Sequence, residues 1–200
     1  MSNDDDKETI KIILIGESGV GKTNLINVST GIGFNENEQA TLISSYQLKN
    51  IEIKGITYKL SIWDTIGQEK LRSLTKIFFT NSKIAILVYD ITSRHSFEEL
   101  NYWEKCIKEM TDENIILGVA GNKKDLYIKE VVNEEEGENY AKSIKAKFKL
   151  TSAKSDIQGF EEFLKELLLD YISKNEEEEN HIKLNNNQNN NNENADHCNC

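Results

Sequence analysis

Apolar residues in this chain fall into two alternating rhythms, short continuous runs and longer amphipathic stretches, from Thr9 to Ser173. The short runs, Thr9–Ile15, Ser45–Ile53, Ile56–Trp63, Ile84–Asp90, Ile115–Ala120 and Phe148–Leu150, have the length and composition of strands. Between them lie helical stretches at Lys22–Ser29, Glu69–Phe79, Ser93–Met110, Asn133–Lys145 and Ile157–Ser173. In the last, Ile157, Phe160, Phe163, Leu164, Leu167 and Tyr171 share one face. Lys54-Gly55 separates the second and third strand runs and reads as a hairpin turn, so that pair is antiparallel. The other strands are separated by helices, which requires right-handed crossovers and parallel pairing. The pattern predicts a three-layer α/β domain over residues 8–174, a six-stranded, mostly parallel sheet with one antiparallel strand and helices on both faces. Ligands in such folds bind at the carboxyl ends of strands. The residues that directly follow each apolar run are therefore the ones to read for chemistry.

The pattern stops near Lys174. Glu176–Glu179 is an acidic run and residues 185–194 are almost all asparagine. Such a segment buries too little apolar surface to offset chain entropy, so 175–200 is expected to be a flexible tether, and the polar leader 1–7 to be disordered. Self-association through the asparagines is the less favoured reading. The net charge of −10 argues against nonspecific nucleic-acid binding. Cys106, Cys198 and Cys200 make no disulfide framework and suit a reducing cytosol, and Cys198-Asn199-Cys200 is too short for a zinc site. The acidic start, Met1-Ser2-Asn3-Asp4-Asp5-Asp6, is no signal peptide, and no apolar run approaches the ~20 residues of a membrane span, so a cytosolic protein is expected.

The first strand run is followed by Gly16-Glu17-Ser18-Gly19-Val20-Gly21-Lys22-Thr23, which leads into a helix. This is G-x-x-x-x-G-K-T in the strand-to-helix context that the motif needs. Glycines let backbone N–H groups turn inward around a polyphosphate, and the helix N-terminus adds its positive dipole. Lys22 reaches the outer phosphates and the Thr23 hydroxyl is placed to ligate Mg²⁺. A ligand-free glycine turn is the alternative, but the flanking strand and helix speak against it.

Which base accompanies the phosphates rests on Asn122-Lys123-Lys124-Asp125, after the fifth strand run. A carboxylate at Asp125 can accept from N1–H and the exocyclic amine of guanine. Adenine offers neither donor on that edge, and a desolvated carboxylate left unpaired costs several kcal/mol. Lys123 can lay its aliphatic stem over the base, and Asn122 can bridge to the phosphate loop. Alone, this four-residue signal would read as a solvated turn. Thr151-Ser152-Ala153-Lys154 follows the last strand, where the Ala153 N–H could meet guanine O6, and Phe34 could pack against the base.

In this order the pieces resemble the Ras-like small GTPases over nearly all of residues 8–174. The resemblance implies binding and slow hydrolysis of GTP. It implies that Asp64 holds Mg²⁺ through a water, that Thr41 closes onto Mg²⁺ and the γ-phosphate, that the Gly67 N–H contacts that phosphate, and that Gln68 orients the attacking water. Neither Arg72 nor Arg94 lies in a stretch resembling an internal arginine finger, so an activating protein is expected to supply one. Ile66 stands where these GTPases usually carry alanine, and Leu42-Ile43-Ser44-Ser45-Tyr46 lacks the glycine and acid of their effector loop.

Within that superfamily the match is nearest to the Rab group, carried by Lys59–Trp63, Lys70-Leu71-Arg72-Ser73-Leu74-Thr75 and Leu87-Val88-Tyr89-Asp90-Ile91-Thr92. Cys198-Asn199-Cys200 then resembles a C-x-C end that receives two geranylgeranyl groups, which anchor stably where one lipid does not. The resemblance implies a monomer on the cytosolic face of membranes, with an exchange factor, an activating protein, a dissociation inhibitor or escort, and effectors. Three alternatives stay open: a GTP-holding scaffold that scarcely hydrolyses, a signalling GTPase outside vesicle traffic, and an ATP-dependent enzyme.

Overall fold

The computed structural model describes residues 9–39, 41, 45–64, 78–111 and 114–193, with 178–193 described at the backbone. In chain order the elements are β1 (Ile10–Ile15), α1 (Lys22–Ser29), β2 (Ser45–Ile53), β3 (Ile56–Asp64), β4 (Ile84–Asp90), α2 (Arg94–Glu98), α3 (Leu100–Met110) and β5 (Ile116–Asn122). A 3-10 helix (Lys124–Lys129), α4 (Glu134–Ser143), β6 (Lys147–Leu150) and α5 (Ile157–Glu193) follow. The six strands form one sheet in the order β2-β3-β1-β4-β5-β6. Of these strands, only β2 and β3 pair antiparallel, with Ile53 opposite Ile56 across the Lys54-Gly55 turn. The expected architecture is the one observed.

Alternate residues of β1 point to opposite faces. Ile12 and Leu14 pack with Leu25 and Ile26 of α1 and Phe160, Phe163, Leu164 and Leu167 of α5. Ile13 and Ile15 pack on the other face with Leu100, Trp103 and Ile107 of α3 and Ala141 of α4. β4 is buried along its whole length, as a central parallel strand covered on both faces must be. The parallel strands β1, β3, β4 and β5 end on one edge of the sheet, at Ile15, Asp64, Asp90 and Asn122.

Three elements differ from expectation. The helix expected over Ser93–Met110 is split by a turn at Glu99. The Ser96 hydroxyl donates back to the Ser93 carbonyl at 2.8 Å, a local bond that tightens and bends a first turn. β5 runs on to Asn122, which puts that side chain at the strand's carboxyl end. The last helix, expected over Ile157–Ser173, continues as α5 to Glu193. The packed turns before Lys174 already nucleate the helix, and each further residue then adds one bond for one residue fixed. Glu176–Glu179 are good helix formers. The helix expected over Glu69–Phe79 lies outside the described residues except at Phe78 and Phe79, which are helical.

Candidate nucleotide site at the carboxyl edge of the sheet

β1 ends at Ile15 and the chain turns at Gly16, whose φ is +151°. A Cβ there would lie 2.1 Å from the Val88 carbonyl oxygen of β4. A Cβ on Gly21, φ +97°, would lie 2.4 Å from Asn122 Nδ2. Both turns thus need glycine for space as well as for conformation. α1 starts at Lys22 with no side-chain cap and no acid in its first turn, so its orphan N–H groups and positive dipole end face the loop. Lys22 is buried, and its Nζ donates to the carbonyls of Gly16 and Glu17 at 2.8 Å each. Burial pushes its ammonium down to about 8, against the opposing pull of Asp64 and Glu17.

This burial has a pH signature. Between pH 8 and 10.5 the unfolded chain holds the Lys22 proton while the folded, ligand-free protein has lost it, so from this group stability rises with pH across that window. A polyphosphate brings negative charge that favours the ammonium. Binding of a nucleoside diphosphate is therefore expected to take up more proton through Lys22 at about pH 8.5 than at about pH 7.5, both above the range where the terminal phosphate itself titrates. Titration calorimetry in buffers of different ionisation enthalpy measures this, and equal uptake at both pH values would contradict it.

Beside the lysine, three side chains from separate segments meet. Thr23 Oγ1 of α1 donates to Asp64 Oδ2 at the end of β3, at 2.8 Å. Thr41 Oγ1 donates to the same oxygen at 3.1 Å and lies 2.9 Å from Thr23 Oγ1. Asp64 Oδ1 is buried with no hydrogen-bond partner among the described residues. Burial pushes the Asp64 carboxyl up, while the two hydroxyls and Lys22 pull it down. An all-oxygen cluster with an orphaned buried carboxylate oxygen fits a hard divalent cation such as Mg²⁺.

The base end forms where β5 and β6 finish. Asn122 is buried and spans the two halves of the site: Nδ2 donates to the Val20 carbonyl at 2.8 Å, and Oδ1 accepts from Thr151 Oγ1 at 3.3 Å. Ser152 Oγ donates to Asp125 Oδ1 at 2.6 Å and fixes that carboxylate. Lys154 Nζ lies 3.2 Å from Glu36 Oε1 and 5.9 Å from the centre of the Phe34 ring. Phosphate loop, Phe34, Thr41 and the base loops together line a cavity of about 360 Å³, within the ordinary size range for small-molecule sites.

The Ras family matches residues 11–172. The chain is 40% identical over 159 residues to Ras-related protein Rab-21 of Bos taurus, covering 80% of this chain and 71% of the relative. It is 39% identical over 150 residues to RABA1b of Arabidopsis thaliana, 75% of this chain and 69% of the relative. It is 38% identical over 143 residues to Rab2BV of Beta vulgaris, 72% and 67%. The chain belongs to the Ras family, in its Rab group.

Of the residues expected in this Rab-type GTPase site, Ser18, Gly19, Gly21, Lys22, Thr23, Phe34, Thr41, Asn122, Lys123, Asp125, Ala153 and Lys154 line the cavity together. Gly16, Glu17, Val20, Asp64 and Ser152 stand behind that lining through the bonds given above. Gly67, Gln68, Cys198 and Cys200 lie outside the described residues, as does Ile66. Sequence reasoning missed Asn24, Glu36, Glu38, Gln39 and Leu126, which also line the cavity. Asn24 braces the loop next to Phe34, since its amide donates to the Asn35 carbonyl at 3.0 Å and accepts from the Asn35 N–H at 2.9 Å. Its position directly after Lys22-Thr23 was the available signal.

Proposed function

We propose that this Rab-type GTPase is a GTP/GDP switch in vesicle traffic, held on cytosolic membrane faces by lipid at Cys198 and Cys200 and read there by effectors. The observation that carries the nucleotide part is Asn122, which ties Val20 of the phosphate loop to Thr151 of the base loop. Phosphate grip and base recognition are thereby one rigid unit. Lys22 and the α1 N-terminus hold the β- and γ-phosphates and balance the charge that develops as the terminal bond breaks. Asp125 reads the guanine edge, with the Ala153 N–H toward O6. Thr23 and Thr41 would hold Mg²⁺, with Asp64 through a water, and the cation would supply charge neutralisation. Gln68 orients the attacking water, and the Gly67 N–H and Thr41 respond to the γ-phosphate, so that hydrolysis releases the segments that carry these two residues.

Slow turnover is the reading because neither arginine lies in a stretch resembling an internal finger. Arg94 is engaged, its Nη1 donating to Glu136 Oε1 at 2.6 Å on α4, and Arg72 lies outside the described residues. An activating protein then supplies an arginine, and an exchange factor and a dissociation inhibitor or escort complete the cycle. No helix among the described residues is long and apolar enough to cross a membrane. The anchor in this reading is covalent, and two geranylgeranyl groups suffice for stable attachment.

One preparation of full-length protein from eukaryotic cells tests this. Unaided single-turnover GTP hydrolysis should run at roughly 10⁻³ s⁻¹ or slower, ATP should fail to displace GDP, and the intact mass should carry two geranylgeranyl additions. Fast unaided hydrolysis would remove the need for an activating protein, and displacement by ATP would sink the guanine reading. An unmodified carboxyl terminus would remove the membrane anchor. A large rate gain in Ile66→Ala would favour a scaffold that scarcely hydrolyses.

A further inference from the structure

Asp90 closes β4 and belongs to neither the phosphate loop nor the base loops, yet its carboxylate is buried and fully engaged. Oδ1 accepts from the Thr92 N–H and from Thr92 Oγ1, both at 2.8 Å. Oδ2 lies 2.7 Å from Lys123 Nζ. The Asp90 N–H donates to Ser96 Oγ at 3.0 Å, so the residue is fixed at its backbone too. Across the β4–β5 ladder Asp90 pairs with Asn122, the residue just before Lys123.

Lys123 itself is in the left-handed conformation, φ +66°, and lines the nucleotide cavity. Its stem is therefore held at both ends, by a constrained backbone at Cα and by the Asp90 carboxylate at the ammonium. A lysine stem normally samples many rotamers and loses that freedom when a ligand packs on it. Held at both ends, it offers a preformed apolar surface to a flat ring.

We propose that Asp90 is a positioning residue for guanine nucleotides: it anchors the Lys123 ammonium so that the lysine stem is preset as one wall of the purine pocket. This rests on the guanine-nucleotide function proposed above and adds a residue to it. The wall touches the base and not the phosphates, so Asp90 acts equally on GDP and GTP. It acts wholly through Lys123.

A binding cycle with Asp90→Asn, Lys123→Met and the double variant tests it, reading GDP and GTP dissociation constants by calorimetry on the full chain. Asp90→Asn should weaken both nucleotides about tenfold, the scale of restoring a lysine's rotamer freedom. Lys123→Met keeps the stem without the ammonium, and adding Asp90→Asn to it should cost less than a further twofold. Binding by Asp90→Asn within twofold of wild type would overturn the proposal, and so would losses that multiply in the double variant, the result of a merely structural role. If Asp90→Asn does not fold by circular dichroism, Thr92→Val decides. It removes one of the two donors on Oδ1 and should weaken binding two- to threefold, only while Lys123 is present; an unchanged affinity overturns the proposal. Wild-type protein that bound no guanine nucleotide would instead overturn the function on which it rests.

Discussion

Asp125→Asn is expected to weaken GDP binding by roughly 10²–10⁴ while leaving the fold in place. A carboxylate facing guanine accepts two hydrogen bonds from N1–H and the exocyclic amine, each charge-assisted and of about 1.5–3 kcal/mol. An asparagine keeps one acceptor and turns an NH₂ donor toward a second donor, so one bond is lost and a repulsion replaces it. Ser152 Oγ donates to Asp125 Oδ1 at 2.6 Å, and an amide oxygen can still accept that bond, so the loop has no reason to move. The same exchange should favour xanthine, whose ring presents a carbonyl where guanine presents its amine. Competition of GDP against xanthosine diphosphate on the variant measures both effects. An unchanged preference for guanine would mean that Asp125 does not read the base.

Gly16→Ala should cost about 4 kcal/mol of stability, with a fall in Tm of roughly 8–16 °C for a domain of this size. Two terms combine. The residue's φ of +151° belongs to a region that side chains rarely enter, and the added carbon would lie 2.1 Å from the Val88 carbonyl oxygen. That oxygen belongs to the backbone of a central, wholly buried strand, so it cannot swing away as a side-chain tip could. Gly19→Ala is the comparison: φ is +76°, but nothing lies within 4 Å of the new carbon, so only conformational strain remains, about 1 kcal/mol. Thermal unfolding without nucleotide separates the two, since a bound ligand would add its own stabilisation by mass action. Equal Tm values for the two variants would show that the loop gives way at Gly16.

The parts of this site that are legible in the sequence are the ones written in consecutive residues. The phosphate loop is eight residues in a row between a strand and a helix, and Asn122-Lys123-Lys124-Asp125 is four. Local geometry turns such runs directly into a binding surface, and the expected bridge from Asn122 to the phosphate loop is present as its bond to Val20. The cluster proposed to hold a cation is of another kind. Thr23, Thr41 and Asp64 come from three segments, and only the resemblance to Ras-like GTPases had linked them. Asp90 gave no sign of a role at the base: one acid at the end of a strand looks like any solvated strand end until Lys123 is brought 2.7 Å from it. Helix boundaries also escaped, because the turn at Glu99 depends on Ser96 bonding to Ser93 and contacting β4, and the reach of α5 depends on turns nucleated by the core.

Periodicity and turn residues alone specify the strands, the single antiparallel pair and the faces that meet in the core, because burying apolar surface leaves few ways to layer these runs. They also place the loop 16–21 between β1 and α1, because its residues are adjacent in sequence. Tertiary structure decides the rest. It sets which carboxylate faces the threonines, which one holds the lysine, and how closely β4 crowds Gly16. Those relations join residues tens of positions apart, and they exist only once the sheet has fixed its strand order.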